Sequence, residues 1–437
     1  MTIPTMTWQR LKSLTAINWQ RLTLPLALAA AFAAGMAATP AHAQDYKFKV
    51  LHTFHGPDGS FPTGVLILDS TGYLYGTTEG GGNGGCGGYG CGTVFKMNGE
   101  GKESWLYSFR GTTEIDPSAG LLRDSAGNLY GTTIYGGKIT KSCGGSQAGG
   151  CGTVYRATKT GKGSVLYKFK GTPDGFWPES LLAGDGAGNI YGTTYEGGSN
   201  QFGTVFKLDR NRVETVLYNF SGSSDGCYPR PGVILDATGN MYGAASACGA
   251  YGYGVIFMVD SSGNETVLHS FSSGLDGANP ESALLFDSER NLYGTTVNGG
   301  NSECGGTGCG TVFELSPDGK GGWTERVLYA FCSVTGCTDG EEPIAGPLVM
   351  DASGNIYGTT YFGGDPRLCN GSCGVVFKLA PDGSETVLHS FTGGSDGAFP
   401  FAGLVMDSSG RLYGTTQQGG ASCFKTYTCG VVFRIVP

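Results

Sequence analysis

Leu129-Tyr130-Gly131-Thr132-Thr133 is one of seven near-copies of a single pentapeptide, spaced by 51 to 64 residues along the 437-residue chain. The copies are marked by the tyrosines Tyr75, Tyr130, Tyr191, Tyr242, Tyr293, Tyr357 and Tyr413. Around each copy lie four short apolar runs, separated by glycine-rich and polar turns. A repeat of this length with four strand signals is typical of a β-propeller blade.

In the second unit we predict strands over residues 104–109, 119–123, 128–133 and 152–157. Tight turns join the second strand to the third and the fourth to the next unit, and longer loops make the other two connections. No segment after residue 43 shows helical periodicity. The sequence therefore predicts an all-β fold, a seven-bladed β-propeller with four strands per blade, whose N-terminal strand closes the last blade.

Residues 1–43 have the composition of a signal peptide, with a basic amino end, an apolar run over 22–38 and small residues up to Ala43. We expect cleavage near Ala43 and a single propeller domain over 44–437. An uncleaved membrane anchor is the alternative. No later apolar run is long enough to span a bilayer, so the mature chain is expected to be secreted, periplasmic or at the cell surface.

The charge balance excludes some classes of partner. The leader contains three basic and no acidic residues, so its removal takes the formal net charge from −8 to −11. An acidic chain without basic clusters has no electrostatic footprint for nucleic acid or for anionic membranes. We therefore expect neither as a partner.

The fourteen cysteines fall into seven sequential pairs, which in an exported chain predicts disulfides. Zinc is the alternative, disfavoured because histidine is scarce and CxxC knuckles are absent. Cys227 and Cys248 lie in two different long loops, so their pairing requires those loops to share one face. The candidate pairs are Cys86 with Cys91, Cys143 with Cys151, Cys227 with Cys248, Cys304 with Cys309, Cys332 with Cys337, Cys369 with Cys373, and Cys423 with Cys429.

Three repeated motifs carry a resemblance to a known family. They are Asn-Leu-Tyr-Gly-Thr-Thr-x-x-Gly-Gly (128–137), Gly-Thr-Val-Phe-Lys-Leu (203–208) and Glu-Thr-Val-Leu-Tyr-x-Phe (214–220). Together they resemble the GloVer tandem-repeat family of exported bacterial proteins over essentially all of residues 46–437. The resemblance implies a propeller-like repeat protein at or beyond the cell surface, and it implies no particular activity.

The residue after each loop proline begins an inner strand, and in units three to five it is Glu179, Arg230 and Glu281. These side chains are expected next to one another at the channel mouth. A guanidinium between two carboxylates can bind a polar ligand through charge-assisted hydrogen bonds. An acid/base pair of a hydrolase or lyase, or a structural ion cluster, are the alternatives.

The residue before that proline is aromatic in four units. Aromatic rings near carboxylates on a loop face suit stacking against sugar rings, whereas packing against the proline is the plain structural alternative. The four candidates are Phe61, Trp177, Tyr228 and Phe399.

The long loops also carry Asp-Gly motifs, as at Asp225, which make calcium possible, although a carboxylate bonded to its own turn explains them better. No cofactor or resident metal is predicted. We interpret the chain as a binding module for carbohydrate or another extracellular polymer. A scaffold for extracellular protein partners is the alternative, and a polysaccharide hydrolase or lyase is less favoured; no catalytic residue is assigned.

Overall fold

The computed structural model describes residues 46–83, 85–111, 115–143, 149–344, 346–369, 372–424 and 427–437. The signal peptide predicted over 1–43 lies outside these residues. Within them no helix is long and apolar enough to cross a bilayer. Several disulfides are compatible with an extracellular protein.

Seven four-stranded antiparallel sheets make up the fold and confirm the predicted seven-bladed propeller. In each of blades 1 to 6 the four strands follow chain order from the innermost to the outermost. The strands are β1 (Lys47–Thr53), β2 (Ile67–Leu68), β3 (Leu74–Thr78), β4 (Thr93–Met97), β5 (Glu103–Ser108), β6 (Leu122–Arg123), β7 (Leu129–Thr133), β8 (Thr153–Ala157), β9 (Gly163–Lys168), β10 (Ala183–Gly184), β11 (Ile190–Thr194), β12 (Thr204–Leu208), β13 (Glu214–Asn219), β14 (Val233–Leu235), β15 (Met241–Ala245), β16 (Val255–Val259), β17 (Glu265–Ser270), β18 (Leu285–Phe286), β19 (Leu292–Thr296), β20 (Thr311–Pro317), β21 (Trp323–Ala330), β22 (Val349–Met350), β23 (Ile356–Thr360), β24 (Val375–Leu379), β25 (Glu385–Ser390), β26 (Val405–Met406), β27 (Leu412–Thr416), β28 (Ser422–Phe424), β29 (Tyr427–Thr428) and β30 (Val431–Val436).

Blade 7 is built from both ends of the propeller, with strand order β26-β27-β30-β1. The first strand pairs with the last along its whole length, from Lys47 opposite Val436 to Thr53 opposite Val431. This confirms the predicted closure, because the N-terminal strand completes the four-stranded sheet of the last blade. β28 and β29 form a separate small hairpin in the loop before β30. Short 3-10 turns lie in other loops, at Cys86–Gly88, Lys141–Cys143, Gly274–Asp276 and Cys304–Gly306.

The inner strands are shorter than predicted. In blade 2 only Leu122–Arg123 pair within the sheet, whereas the sequence predicts a strand over 119–123. The residues before each inner strand crowd against neighbouring blades around the axis. Leu181, for example, forms a parallel bridge with Gly232 of the next blade. Between blades 3 and 4 the backbone nearest the axis therefore pairs with the neighbouring blade.

The repeated pentapeptide is explained by packing within each blade. A Cβ on its glycine would lie 2.5 Å from the Phe95 ring in blade 1 (Gly76) and 2.8 Å from the Phe206 ring in blade 3 (Gly192). Glycine is thus the residue that lets the next strand's aromatic ring pass across the sheet. The tyrosine hydroxyl donates to an aspartate in the preceding tight turn, as Tyr75 does to Asp69 at 2.9 Å.

Aromatic pairs join each blade to the next. Phe169, at the end of β9, meets Phe206 of blade 3 edge to face, with ring centroids 5.2 Å apart, and both rings are fully buried. Such pairs contribute about 0.5–1.5 kcal/mol beyond their buried area. The same contact recurs at all seven blade junctions, with centroids 4.9 to 5.3 Å apart.

Candidate functional site

All seven cysteine pairs predicted from the sequence are disulfide-bonded in the structure, and none of the fourteen cysteines is free. The Cys373 sulfur, for example, is bonded to that of Cys369, four residues earlier in the same loop. The bonds join Cys86 to Cys91, Cys143 to Cys151, Cys227 to Cys248, Cys304 to Cys309, Cys332 to Cys337, Cys369 to Cys373, and Cys423 to Cys429.

The long loops meet on one face of the propeller, and one of these disulfides shows this directly. The Cys227–Cys248 bond joins the loop before an inner strand to the loop after the pentapeptide of the same blade. The opposite face carries only tight turns, apart from one longer hairpin between β20 and β21. The long loops therefore share one face, as the Cys227–Cys248 pairing predicted.

A ring of left-handed residues surrounds the channel mouth on this loop face. In every blade the residue before the loop proline has a positive φ, between 53° and 67°, although none is a glycine. A left-handed backbone costs most residues about 1–2 kcal/mol, and a following proline disfavours helical conformations further. We call these residues the outer ring: Phe61, Asp116, Trp177, Tyr228, Asn279, Glu342 and Phe399.

Backbone hydrogen bonds from two blades impose this conformation. The Trp177 N–H donates to the Cys151 carbonyl of the preceding blade at 3.1 Å, and its own carbonyl accepts from the Tyr195 N–H at 3.0 Å. A Cβ on Gly152 would lie 2.5 Å from Pro178, so a glycine of one blade packs directly on the proline of the next. The other six blades repeat these hydrogen bonds and this contact. Strained residues held by their surroundings are concentrated at functional sites.

Disulfide cysteines supply several of the carbonyls that hold the outer ring. In blade 7 the Phe399 N–H donates to the carbonyl of Cys373 at 2.9 Å, and Cys373 is buried. Cys151 has the same role for Trp177, so these disulfides fix the loops next to the ring as well as closing them.

Two further rings lie inside and beside the outer ring. The inner ring holds the residues that follow the prolines: Thr63, Ser118, Glu179, Arg230, Glu281, Ile344 and Phe401. The middle ring holds the residues that follow the pentapeptide and donate to the outer-ring carbonyls: Glu79, Ile134, Tyr195, Ser246, Val297, Tyr361 and Gln417. The scaffold repeats, whereas these positions differ from blade to blade.

The structure brings Glu179, Arg230 and Glu281 together at the mouth, as the sequence predicts. Arg230 Nε donates to Glu179 Oε2 at 2.6 Å, and Nη1 lies 3.4 Å from Glu281 Oε2. The arginine side chain is 37% exposed, against 14% and 23% for the two carboxylates. Burial disfavours the charged guanidinium, but the two carboxylates outweigh it and raise the pKa of Arg230. Burial also disfavours the charged form of Glu281 and thereby raises the pKa of this carboxyl group, although Arg230 opposes the shift.

Two more carboxyl groups lie near this cluster, and the sequence did not indicate that they belong to it. Glu79 Oε1 accepts a hydrogen bond from Thr63 Oγ1 at 2.7 Å, and burial raises its pKa, with Glu179 adding to the shift. Asp116 Oδ1 is buried with no hydrogen-bond partner among the described residues. Burial, then the negative charges of Glu79 and Glu179, raise the pKa of Asp116. The only signal for Glu79 was its place immediately after the repeated pentapeptide.

The aromatic candidates separate into different environments. Tyr228 stacks on Tyr195 with centroids 5.0 Å apart, and Phe399 packs on Tyr361 at 5.2 Å. Trp177 is only half-buried, against Phe176 at 5.0 Å and Tyr135 at 6.3 Å, while Phe176 itself is buried.

Tyr361 connects the apolar side of the mouth to a polar group. Its ring also meets Phe401 edge to face at 6.0 Å, and its hydroxyl donates to Gln417 at 2.8 Å. Blades 6 and 7 therefore give the mouth an aromatic side, opposite the charged side of blades 3 to 5.

Two cavities lie on the loop face, and a third lies on the opposite face. A central pit of about 80 Å³ is lined by Glu179, Arg230, Glu281 and Phe401, together with polar groups of blades 1 and 2. A cleft of about 300 Å³ on the same face lies between blades 7 and 1. The third cavity, about 870 Å³, opens on the opposite face between blades 5 and 6, beside the ion pair of Arg326 and Glu314. That cavity is lined by the repeated turn aspartates and is remote from the three rings.

The loop aspartates are occupied by their own loops. Asp225 accepts from the Ser221 N–H at 2.7 Å and the Tyr218 hydroxyl at 2.9 Å, and Asp396 accepts from the Thr392 N–H and from His389. These contacts agree with the interpretation that the carboxylates of the Asp-Gly motifs are bonded to their own loops.

Four cysteine sulfurs come close enough to suit a metal. Cys304, Cys309, Cys332 and Cys337 hold theirs within 4.8 Å of one another. Each is bonded in a disulfide, so none offers the thiolate that zinc requires.

Fold and site together define an all-β repeat protein in which an almost invariant seven-fold scaffold carries a variable mouth. The sequence profile of the Gloeobacter/Verrucomicrobia repeat matches residues 86–307 and 302–437, and the chain belongs to that family. No curated protein is similar enough to match it.

Several solved structures are similar to this chain at low sequence identity. A gluconolactonase from Xanthomonas campestris is 12% identical, with a TM-score of 0.41, over 90% of this chain and 90% of its own. A proposed 6-phosphogluconolactonase from Bacteroides uniformis is 17% identical, with a TM-score of 0.48, over 78% and 89%. The extracellular domain of a proposed one-component system from B. thetaiotaomicron is 13% identical, with a TM-score of 0.49, over 89% and 41%. These likenesses carry no information about what this chain binds.

Proposed function

We propose that this protein is an exported binding module whose loop face holds a neutral polysaccharide at the channel mouth. The observation that carries the proposal is the division of the inner ring into chemically distinct arcs. Blades 3 to 5 supply Glu179, Arg230 and Glu281, blades 6 and 7 supply Ile344 and Phe401, and blades 1 and 2 supply hydroxyl groups. A sugar presents the same division, with hydroxyl groups at its edge and C–H groups on its faces.

The charged arc suits hydroxyl groups in both directions. Carboxylates accept hydrogen bonds from a hydroxyl, and the guanidinium donates to its oxygen, in a site already partly desolvated. The pit of about 80 Å³ has room for two or three waters at about 30 Å³ each, so it fits a hydroxyl or hydroxymethyl group and not a whole ring. The ring itself would lie over the pit, against the aromatic side formed by Phe401 and Tyr361.

The charge at the mouth selects against anionic ligands. Arg230 is surrounded by Glu179 and Glu281, and Glu79 and Asp116 face the same region. A uronic acid or sulfated polymer would bring a further negative charge to partly buried carboxyl groups, at an electrostatic cost. Neutral polymers therefore fit better.

The same ion pairs favour binding over hydrolysis. Both carboxylates that would form an acid/base pair contact one guanidinium, which holds them as partners of a positive charge. We therefore assign no catalytic residue, and a scaffold for protein partners stays the alternative.

The experiment is a retention assay of the purified protein on cellulose, xylan, mannan and chitin, with alginate as the anionic comparison and release of soluble sugar measured in parallel. We expect retention on a neutral polymer, none on alginate, and no release. Arg230→Ala should weaken retention at least tenfold, in the range of a central binding residue. Arg326→Ala removes an arginine ion pair from the opposite face and should leave retention unchanged.

Failure of retention on every polymer, or equal retention by Arg230→Ala and the parent, would reject the proposal. Release of soluble sugar that Glu179→Gln and Glu281→Gln both abolish would instead support the hydrolase or lyase.

A further inference from the structure

The cleft of about 300 Å³ between blades 7 and 1 has the size and lining of a second sugar site. Cavities that hold small ligands begin at about 300 Å³, whereas the central pit is too small for a ring. The cleft is lined by three aromatic residues, one carboxylate and two amides: Phe61, Tyr89, Tyr427, Glu79, Gln417 and Gln418.

Two tyrosines of this lining are exposed on disulfide-closed loops. Tyr89 is 53% exposed and lies between Cys86 and Cys91, which are bonded to each other. Tyr427 is 49% exposed and lies in the β28–β29 hairpin, inside the loop closed by the bond between Cys423 and Cys429. A short covalent loop limits the conformations of an exposed ring, so less entropy is lost when a ligand packs against it.

The third ring is held by the left-handed backbone of the outer ring. Phe61 has φ 56°, and its N–H donates to the Cys429 carbonyl of blade 7 at 3.1 Å. The Phe61 and Tyr427 rings meet edge to face, with centroids 6.1 Å apart. The aromatic walls thus come from both blades and are fixed to each other at the junction.

Polar groups connect this cleft to the central pit. Glu79 lines both cavities, and its Oε1 accepts from Thr63 of the inner ring. Gln417, which lines the cleft, accepts a hydrogen bond from the Tyr361 hydroxyl on the aromatic side of the mouth. Glu79 is therefore accessible from both cavities, and both are lined by further polar groups.

We propose that the cleft is a second sugar-binding subsite, and that the ligand is a neutral oligosaccharide chain extending from the pit to the blade 7–blade 1 junction. This inference rests on the proposed function of the mouth. The cleft holds one pyranose ring against the tyrosine walls, with its hydroxyl groups bonded to Glu79 and the two glutamines. The central pit anchors a neighbouring unit of the same chain.

The test compares affinities for oligosaccharides of one to six units, using the β-1,4-linked glucose, xylose, mannose and N-acetylglucosamine series and titration calorimetry. For the series that binds, the dissociation constant should fall at least tenfold between one unit and the length that fills both sites. Tyr427→Ala and Tyr89→Ala should remove about tenfold of affinity for long chains and leave the shortest binding ligand unaffected. Tyr427→Phe, which keeps the ring, should retain the affinity.

Tyr251→Ala is the matched control, because this tyrosine is 62% exposed on the corresponding loop of blade 4 and does not line the cleft. Melting temperatures of all variants confirm folding. The subsite is rejected if Tyr427→Ala and Tyr89→Ala bind long chains as the parent does while Arg230→Ala does not. If the parent binds no series at all, the proposed function falls, and the subsite with it.

Discussion

Because the outer ring has a left-handed backbone, we expect an unusual order of stability when one of its residues, Glu342, is replaced by alanine or by glycine. This residue has φ 53°, its N–H donates to the Cys309 carbonyl at 2.9 Å, and its carbonyl accepts from the Tyr361 N–H at 2.9 Å. Replacement by alanine or by glycine removes the same side chain and leaves these backbone bonds in place. The two variants therefore differ only in what the backbone conformation costs each residue.

Two opposing free-energy contributions set the expected difference in stability between Glu342→Gly and Glu342→Ala. A left-handed conformation costs alanine about 1–2 kcal/mol and costs glycine almost nothing. Glycine in turn loses about 0.4–1 kcal/mol more than alanine in conformational entropy on folding. Glu342→Gly should therefore be more stable than Glu342→Ala by about 1 kcal/mol. At an ordinary position the order is the reverse.

Val297 supplies that ordinary position. It belongs to the middle ring of the neighbouring blade, donates its N–H to the outer-ring carbonyl of Asn279 at 3.0 Å, and is not among the residues with positive φ. Val297→Ala should be more stable than Val297→Gly by about 0.4–1 kcal/mol.

The assay is urea unfolding of the four variants, followed by circular dichroism and tryptophan fluorescence. The expectation is wrong if Glu342→Ala is as stable as Glu342→Gly, or if the same replacement gives the more stable variant at both 342 and 297. Confirmation would mean that the outer ring keeps non-glycine side chains at a measurable cost, as expected of residues retained for binding.

Three further predictions concern the scaffold. Burial, with a contribution from Asp174, raises the pKa of Glu214 to about 7. The free energy of unfolding should therefore fall as the pH rises from about 4.5 to 7, because Glu214 ionises in the unfolded chain and not in the folded one. Glu214→Gln should raise the melting temperature at pH 8 and leave it unchanged at pH 4, and equal shifts at both pH values would contradict this. Phe206→Ala leaves a cavity at a blade junction and should lower the free energy of unfolding by about 3–5 kcal/mol. Replacing an exposed aromatic residue by alanine should leave it almost unchanged. The bond of Cys227 to Cys248 spans 21 residues, so replacing both by serine should cost about 3 kcal/mol in chemical unfolding, and the difference from the parent should shrink when a reducing agent opens the disulfides of both proteins.

The sequence was enough to predict the architecture because each level of the repeat agrees with the others. The pentapeptide tyrosine bonds the aspartate of the turn before it, and the pentapeptide glycine accommodates the ring of the next strand. Both contacts are local, so the same short motif determines the same blade in each copy. The charged group of Glu179, Arg230 and Glu281 was predictable for the same reason, since equivalent positions of equivalent blades converge on one axis.

The left-handed outer ring could not be predicted from local sequence. A residue before proline ordinarily adopts an extended conformation. Trp177 instead has a left-handed backbone. The carbonyl of Cys151, in another blade, accepts a hydrogen bond from its N–H, and Gly152 leaves space for Pro178 to pack against it. These are contacts between units, and a propensity argument considers one unit at a time. The middle ring was overlooked for a simpler reason, since Glu79 directly follows a run of structural residues.

The pairing of β1 with β30 has a consequence for how the chain finds its fold. In every blade the outermost strand pairs with the edge of the third strand. The third strands of all seven blades have nearly the same sequence, so β1 could in principle pair with any of them. Each of the first six edges is followed, after a turn of a few residues, by its own outer strand, whose local concentration is far higher than that of a distant segment. Those six edges are therefore occupied as soon as they form. The seventh, Val431–Val436, pairs with β1 instead of with a strand that follows it, so β1 is matched to its partner by elimination. The Phe48 ring of β1 also stacks on His389 of blade 6, with centroids 3.7 Å apart.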